Sequence, residues 1–245
     1  MKNSYQKDLF IGLSHRGNSK KFIENSFEAF NSVIQLGYKY IETDLRMTLD
    51  NKVIAFHDPD LKRLFDLDLQ VKDLTFNEIA NLFREKNCVL LTLEDALKKF
   101  PKIHFNIDLK VKEVIQESIK VIADLNAFDR ICFASFRSSH TEKVLQHNKN
   151  AIISMGMKDV ALFKFFNFCN KNIKIVQIPL KWKGITVLTR NLIQKANKSN
   201  LLVHVWTIND RKTINTLIDI GVNGIITDEP ELLMEIMKER DLVSN

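Results

Sequence analysis

Short apolar, β-rich runs alternate with amphipathic stretches along this chain, and that alternation predicts a parallel sheet with helical crossovers. Eight runs stand out: Leu9 to Ser14, Tyr38 to Asp44, Ile103 to Leu109, Arg130 to Ser135, Ala151 to Met155, Lys174 to Ile178, Leu201 to Thr207 and Val222 to Thr227. Eight parallel strands close a barrel, so the expected fold class is α/β, a (β/α)8 barrel of the TIM type. The amphipathic stretches supply the crossovers. Phe27, Phe30, Val33 and Ile34 recur at helical spacing before Gly37, and further helices are expected from Leu93, Val111, Thr141, Val160, Thr189, Arg211 and Pro230 onward.

The segment from about Asp58 to Leu91 breaks the alternation. It has no clear strand and one capped helix from Thr75 to Arg84, so it reads as a small insertion above the barrel mouth, where barrel proteins commonly shape access to a site. With 245 residues and 45% hydrophobic content, one catalytic barrel domain spanning 1–245 is the expected organisation. No apolar run is long enough to cross a bilayer. Met1 to Asp8 carries no secretory pattern, so the expected location is the cytoplasm. Cys88, Cys132 and Cys169 are too scattered for a disulfide framework or a zinc site. The net charge of +6 comes from dispersed lysines and not from a dense basic stripe, which argues against a nucleic-acid partner; the sequence leaves the oligomeric state open.

Candidate chemistry sits at the ends of the first three runs. The first ends in Ser14-His15-Arg16-Gly17, presenting an imidazole and a guanidinium in a loop. In the second, Glu42 and Asp44 are two residues apart and so share a strand face. A two-residue turn at Asp50-Asn51 would fold the chain back and set Asp44 opposite His57. Asp108 and Lys110 repeat the i, i+2 pattern at the third run. Unpaired acids in a sheet buried on both faces are costly, and a divalent cation would remove the cost. Hard carboxylate ligands from Glu42, Asp44 and Asp108, without thiols, suit Ca2+ or Mg2+. Arg16 and Lys110 suit a phosphate, and His15 and His57 suit general acid and base work. Trp206, at the end of the seventh run, is either core or an apolar wall for the substrate.

These residues also carry a family resemblance. Ser14-His15-Arg16-Gly17, Glu24-Asn25-Ser26, Glu42-x-Asp44, Thr48-x-Asp50, His57-Asp58, Asn106 to Lys110, Ala134-Ser135-Phe136, Val205 to Asn209 and Gly224 to Pro230 resemble the glycerophosphodiester phosphodiesterases in content and order. Two positions depart: Ile23 stands where the family usually has proline, and Asp108 where many members have glutamate. The resemblance implies a metal-dependent hydrolase that converts a small-molecule glycerophosphodiester to glycerol 3-phosphate and an alcohol. It implies loop-ordering roles for Glu24, Asn25 and Asn209, whereas Asp228-Glu229-Pro230 reads as structural. Two alternatives stay open: lysophospholipase D-type hydrolysis of lysophospholipids, with apolar contacts from Leu61, Leu64 and Phe65, and a barrel that binds phosphoesters without turnover.

Overall fold

The structure, a computed structural model, describes residues 10–243. Met1 to Asp8, read above as lacking a secretory pattern, and Leu9, the expected start of the first strand, lie outside the described residues. All eight expected runs overlap a strand, three of which run past the expected end: β1 (Ile11–His15), β2 (Tyr40–Met47), β3 (His104–Leu109), β4 (Ile131–Ala134), β5 (Ile152–Ile153), β6 (Ile175–Pro179), β7 (Leu202–Trp206) and β8 (Gly224–Thr227). They pair in parallel in the order β5-β4-β3-β2-β1-β8-β7-β6. A single parallel bridge, Ser154 to Ile175, joins β5 to β6 and brings the sheet to a nearly closed TIM barrel.

Period-two alternation sorts each strand into an inner and an outer face. The outward Ile41, Phe105, Ile107, Val176 and Val203 are buried beneath the surrounding helices. Inward positions change character along the strand. Ile11, Leu13, Tyr40, Ile175 and Ile226 form an apolar floor, above which the same inner rows become His15, Glu42, Asp44, Asn106 and Asp108. The barrel therefore has a hydrophobic base and a charged carboxyl end.

Local sequence explains the crossovers. Ser26 caps α1 (Phe27–Gln35) by accepting from the Ala29 amide. Thr92 caps α4 (Leu93–Lys99) the same way, and Asp210 caps the helix Arg211–Asp219. Pro230 opens the last helix, Pro230–Glu239. Among the described residues no helix is long and apolar enough to cross a membrane.

Two expectations need correction. The hairpin after β2 is not closed by a two-residue turn. Leu45 pairs with Ala55 and Met47 with Val53, and the Thr48 amide donates to the Lys52 carbonyl at 3.0 Å, which leaves the three-residue loop Leu49-Asp50-Asn51. Asn51 takes a left-handed φ of 57°, the conformation such loops need at their last position. The register then sets Asp44 opposite Phe56, whose amide donates to the Asp44 carbonyl. His57 reaches the barrel mouth only because the strand has ended at Ala55.

The insertion, expected to have no clear strand, contains a short antiparallel pair, Asp60–Leu61 with Leu67–Gln70, and α3 (Phe76–Glu85) with a Thr75/Glu78 capping box. Its apolar residues, Leu61, Val71, Ile79 and Phe83 among them, pack with Ile54 and Phe56 as a separate small core, with Leu64 and Phe65 against it. Those side chains are occupied by the insertion itself, and Leu61, Leu64 and Phe65 do not line the cavity.

Candidate active site

The loop after β1 delivers His15 and Arg16 into the mouth. Arg16 holds a left-handed φ of 60° and Gly17 one of 78°; a Cβ on Gly17 would lie 2.6 Å from the Ala29 backbone. Only glycine lets the chain turn this tightly against α1, and the turn aims the guanidinium inward. Arg16 Nε then lies 2.9 Å from Asp44 Oδ2, while its Nη1 donates to Glu24 Oε1 at 3.0 Å.

Asp44 is the most fully paired charge in the site. Strand register sets it beside Asp108, and Lys110 Nζ bridges the two, 2.8 Å from Asp44 Oδ1 and 2.5 Å from Asp108 Oδ2. Asn25 Nδ2 adds a donor at 3.2 Å, itself oriented by the Thr43 hydroxyl, which donates to Asn25 Oδ1 at 2.8 Å. Burial alone would raise the Asp44 pKa, but Lys110 and Arg16 outweigh it and hold the carboxyl well below the usual range. Stripping a buried carboxylate of one such partner costs about 3–5 kcal/mol, so this centre is strongly ordered.

Glu42 and Asp108 are in the opposite condition. Burial, then the Asp44 charge, pushes Glu42 up to about 8, and burial raises Asp108 as well. Glu42 Oε2 and Asp108 Oδ1 are buried and accept no hydrogen bond. Two orphaned carboxylate oxygens on neighbouring strands fit a hard cation chemically. The three acids do not form a preformed cage, since among the described residues no three His, Cys, Asp or Glu groups converge as cation ligands and Lys110 stands between two of them.

Both histidines are held by carboxylates. His15 Nδ1 lies 2.6 Å from Asp228 Oδ1, and His57 Nδ1 lies 2.7 Å from Asp58 Oδ1. A carboxylate can only accept, so each Nδ1 carries the proton and each Nε2 is left for other chemistry. His15 Nε2 faces Glu42 Oε2 at 3.8 Å. Burial opposes charging of His15, but the Asp228 hydrogen bond and Glu42 prevail and its pKa is raised; burial lowers that of His57. The carboxylates are anchored in turn. Asn209 donates to Asp228 Oδ2 at 2.9 Å, and Arg63 of the insertion donates to Asp58 Oδ2 at 2.6 Å and to both Glu24 oxygens. The insertion thus braces the site through Arg63.

His15, Arg16, Glu42, Asp44, His57, Asp108, Lys110 and Trp206, all selected from sequence, line one cavity of about 460 Å3, a size suited to a small-molecule ligand. Sequence reasoning missed Asp228, Asp58 and Arg63 as supports. A usable signal for Asp228 was barrel closure, which makes β8 the neighbour of β1 and sets Asp228 beside His15. Of the aromatic wall, Trp206 was read from the sequence as core or wall, and its partner rings Phe136 and Trp182 were missed. Phe136, Trp182 and Trp206 meet edge-on or tilted, with ring centroids 5.5–6.4 Å apart. Met155, Val160 and Phe165 extend this apolar side, Val160 and Phe165 from α7 (Met157–Phe166) and Trp182 from the short hairpin Lys181–Trp182 with Ile185–Thr186.

The chain is 28% identical over 241 residues to a probable glycerophosphodiester phosphodiesterase from Mycobacterium tuberculosis, covering 94% of this chain and 91% of that one. It is 23% identical to a lysophospholipase D from Rattus norvegicus, over 95% of this chain and 87% of that one. The solved glycerophosphodiester phosphodiesterase of Thermotoga maritima superposes with a TM-score of 0.73 at 25% identity, covering 93% of this chain and 98% of that one. Since the sequence profile of the glycerophosphoryl diester phosphodiesterase family matches residues 15–232, nearly the whole barrel with its paired histidines and acids, the chain belongs to that family of phosphoric diester hydrolases.

Proposed function

We propose that this protein hydrolyses a glycerophosphodiester to glycerol 3-phosphate and an alcohol, with help from a divalent cation. The observation that carries the reading is the arrangement of two imidazoles, each with Nδ1 held by a carboxylate, beside Arg16, Lys110 and the orphaned oxygens of Glu42 and Asp108. Glu42, Asp44 and Asp108 would hold Ca2+ or Mg2+, which would offset charge on the phosphate as the transition state forms.

The chain's own residues do the rest. The Arg16 fork and the Lys110 ammonium bind phosphate oxygens and fix the diester in the mouth. One histidine takes the proton of the attacking oxygen as its bond to phosphorus forms, and the other gives a proton to the alcohol oxygen as its bond to phosphorus breaks. Asp228 and Asp58 keep both rings in the tautomer this exchange requires.

The apolar wall favours a second reading, in which the leaving group or glycerol substituent is lipid-like and the substrate is a lysophospholipid. The two are separated by a product assay on a panel of water-soluble glycerophosphodiesters and dispersed lysophospholipids, with and without chelator. Release of glycerol 3-phosphate from the soluble diesters is expected. Faster turnover of lysophospholipids would establish the second reading, and no turnover of either class would leave a binding barrel.

A further inference from the structure

We propose that α7, the two residues after it and the Lys181–Thr186 hairpin form a platform that docks on an anionic lipid bilayer. Phe165, Phe166 and Phe168 are 70%, 75% and 64% exposed, and Ile185 of the hairpin is 66% exposed. Scattered exposed apolar residues are ordinary, but three phenylalanines within four positions are not.

The exposure belongs to an ordered surface. Asn167 adopts a left-handed φ of 55° and its amide donates to the Phe163 carbonyl at 3.0 Å, ending the helix in a defined cap that turns Phe168 outward. Lys164 Nζ donates to the Thr186 carbonyl at 2.5 Å, tying helix to hairpin. Lys195 Nζ donates to the Lys164 carbonyl at 3.0 Å and ties the helix to its other neighbour.

Charge identifies the occupant. From residue 157, where α7 begins, to 209 the sequence has one acid, Asp159, and nine Lys or Arg, a local excess larger than the net +6 of the whole chain. Lys171, Lys174, Lys181 and Lys183 are exposed around the aromatic residues. A second copy presenting the same cations would be repelled. A bilayer with anionic headgroups complements both components, because aromatic rings settle at headgroup depth while lysines meet the phosphates. The platform is also continuous with the cavity, since Phe165, Trp182 and Ile185 are both exposed and part of the cavity wall. Docking would place the mouth against the membrane surface, a consequence that rests on the proposed phosphodiesterase site although the docking itself does not.

The test is co-sedimentation of the full chain with vesicles of phosphatidylcholine alone or of phosphatidylcholine mixed with phosphatidylglycerol, at low and high salt. The wild type should bind the mixed vesicles, release at high salt and ignore phosphatidylcholine. Phe166→Ser with Phe168→Ser, and separately Lys181→Glu with Lys183→Glu, should each weaken binding by roughly tenfold or more. An unchanged thermal midpoint shows that the variants fold, and vesicle binding is read without turnover. The proposal is overturned if the wild type does not bind anionic vesicles, if either double variant binds as well as wild type, or if sedimentation velocity shows the phenylalanines holding two copies together without affinity for vesicles.

Discussion

His15 and Asp228 stand 213 residues apart in sequence and 2.6 Å apart in space, joined because the last barrel strand closes on the first. The carboxylate sets which imidazole nitrogen carries the proton, and so what His15 can do. Replacing Asp228 by Asn keeps the shape but removes the fixed acceptor. Turnover should fall at least about tenfold in Asp228→Asn and roughly a hundredfold or more in His15→Ala. Steady-state kinetics with a matched thermal midpoint check this, and wild-type turnover in Asp228→Asn would reduce the contact to packing.

Metal removal is the second test. Excess chelator should abolish turnover, and added Ca2+ or Mg2+ should restore it, because the orphaned oxygens on Glu42 and Asp108 are hard donors. Asp108→Asn should raise the metal concentration for half-maximal activity by about 10- to 100-fold, the scale on which neighbouring polar groups already act at metal sites. Full activity in chelator would remove the cation from the mechanism.

Trp206 offers a third. Its ring lies 5.7 Å from Phe136 and 6.4 Å from Trp182, centroid to centroid, so its contribution to the wall is apolar area. Phe at 206 should be tolerated better than Ala, with the difference in KM more than in kcat. Equal losses in both variants would point to the indole N–H instead.

A fourth concerns stability against pH. His204 lies inside the barrel, fully buried, and burial pushes its pKa down to about 3. The unfolded chain gains a proton there near the model-peptide value of about 6.5, while the folded chain does not. Stability is therefore complete above that value and lost as pH falls from about 6.5 toward 3, by up to about 1.4 kcal/mol per pH unit from this group. Denaturant midpoints of wild type and His204→Gln across this range should converge on acidification. Parallel curves would exclude His204 as the source.

The sequence by itself determined the barrel, because period-two runs separated by capped amphipathic stretches allow few other packings, and each of the eight runs overlaps a strand. It also singled out His15, Glu42, Asp44 and Asp108 at the ends of three strands, and these side chains line one cavity. Tertiary structure decided what spacing cannot carry. A one-residue difference in hairpin loop length put Phe56, not His57, opposite Asp44, and left His57 to reach the mouth from beyond the strand. Barrel closure gave His15 its carboxylate. The insertion folded onto its own core and contributed Arg63 as a brace, while the apolar wall came from Phe136, α7 and a hairpin too short to leave a periodic signal. Such contacts join residues tens to hundreds of positions apart, and only the packing of the whole barrel brings them together.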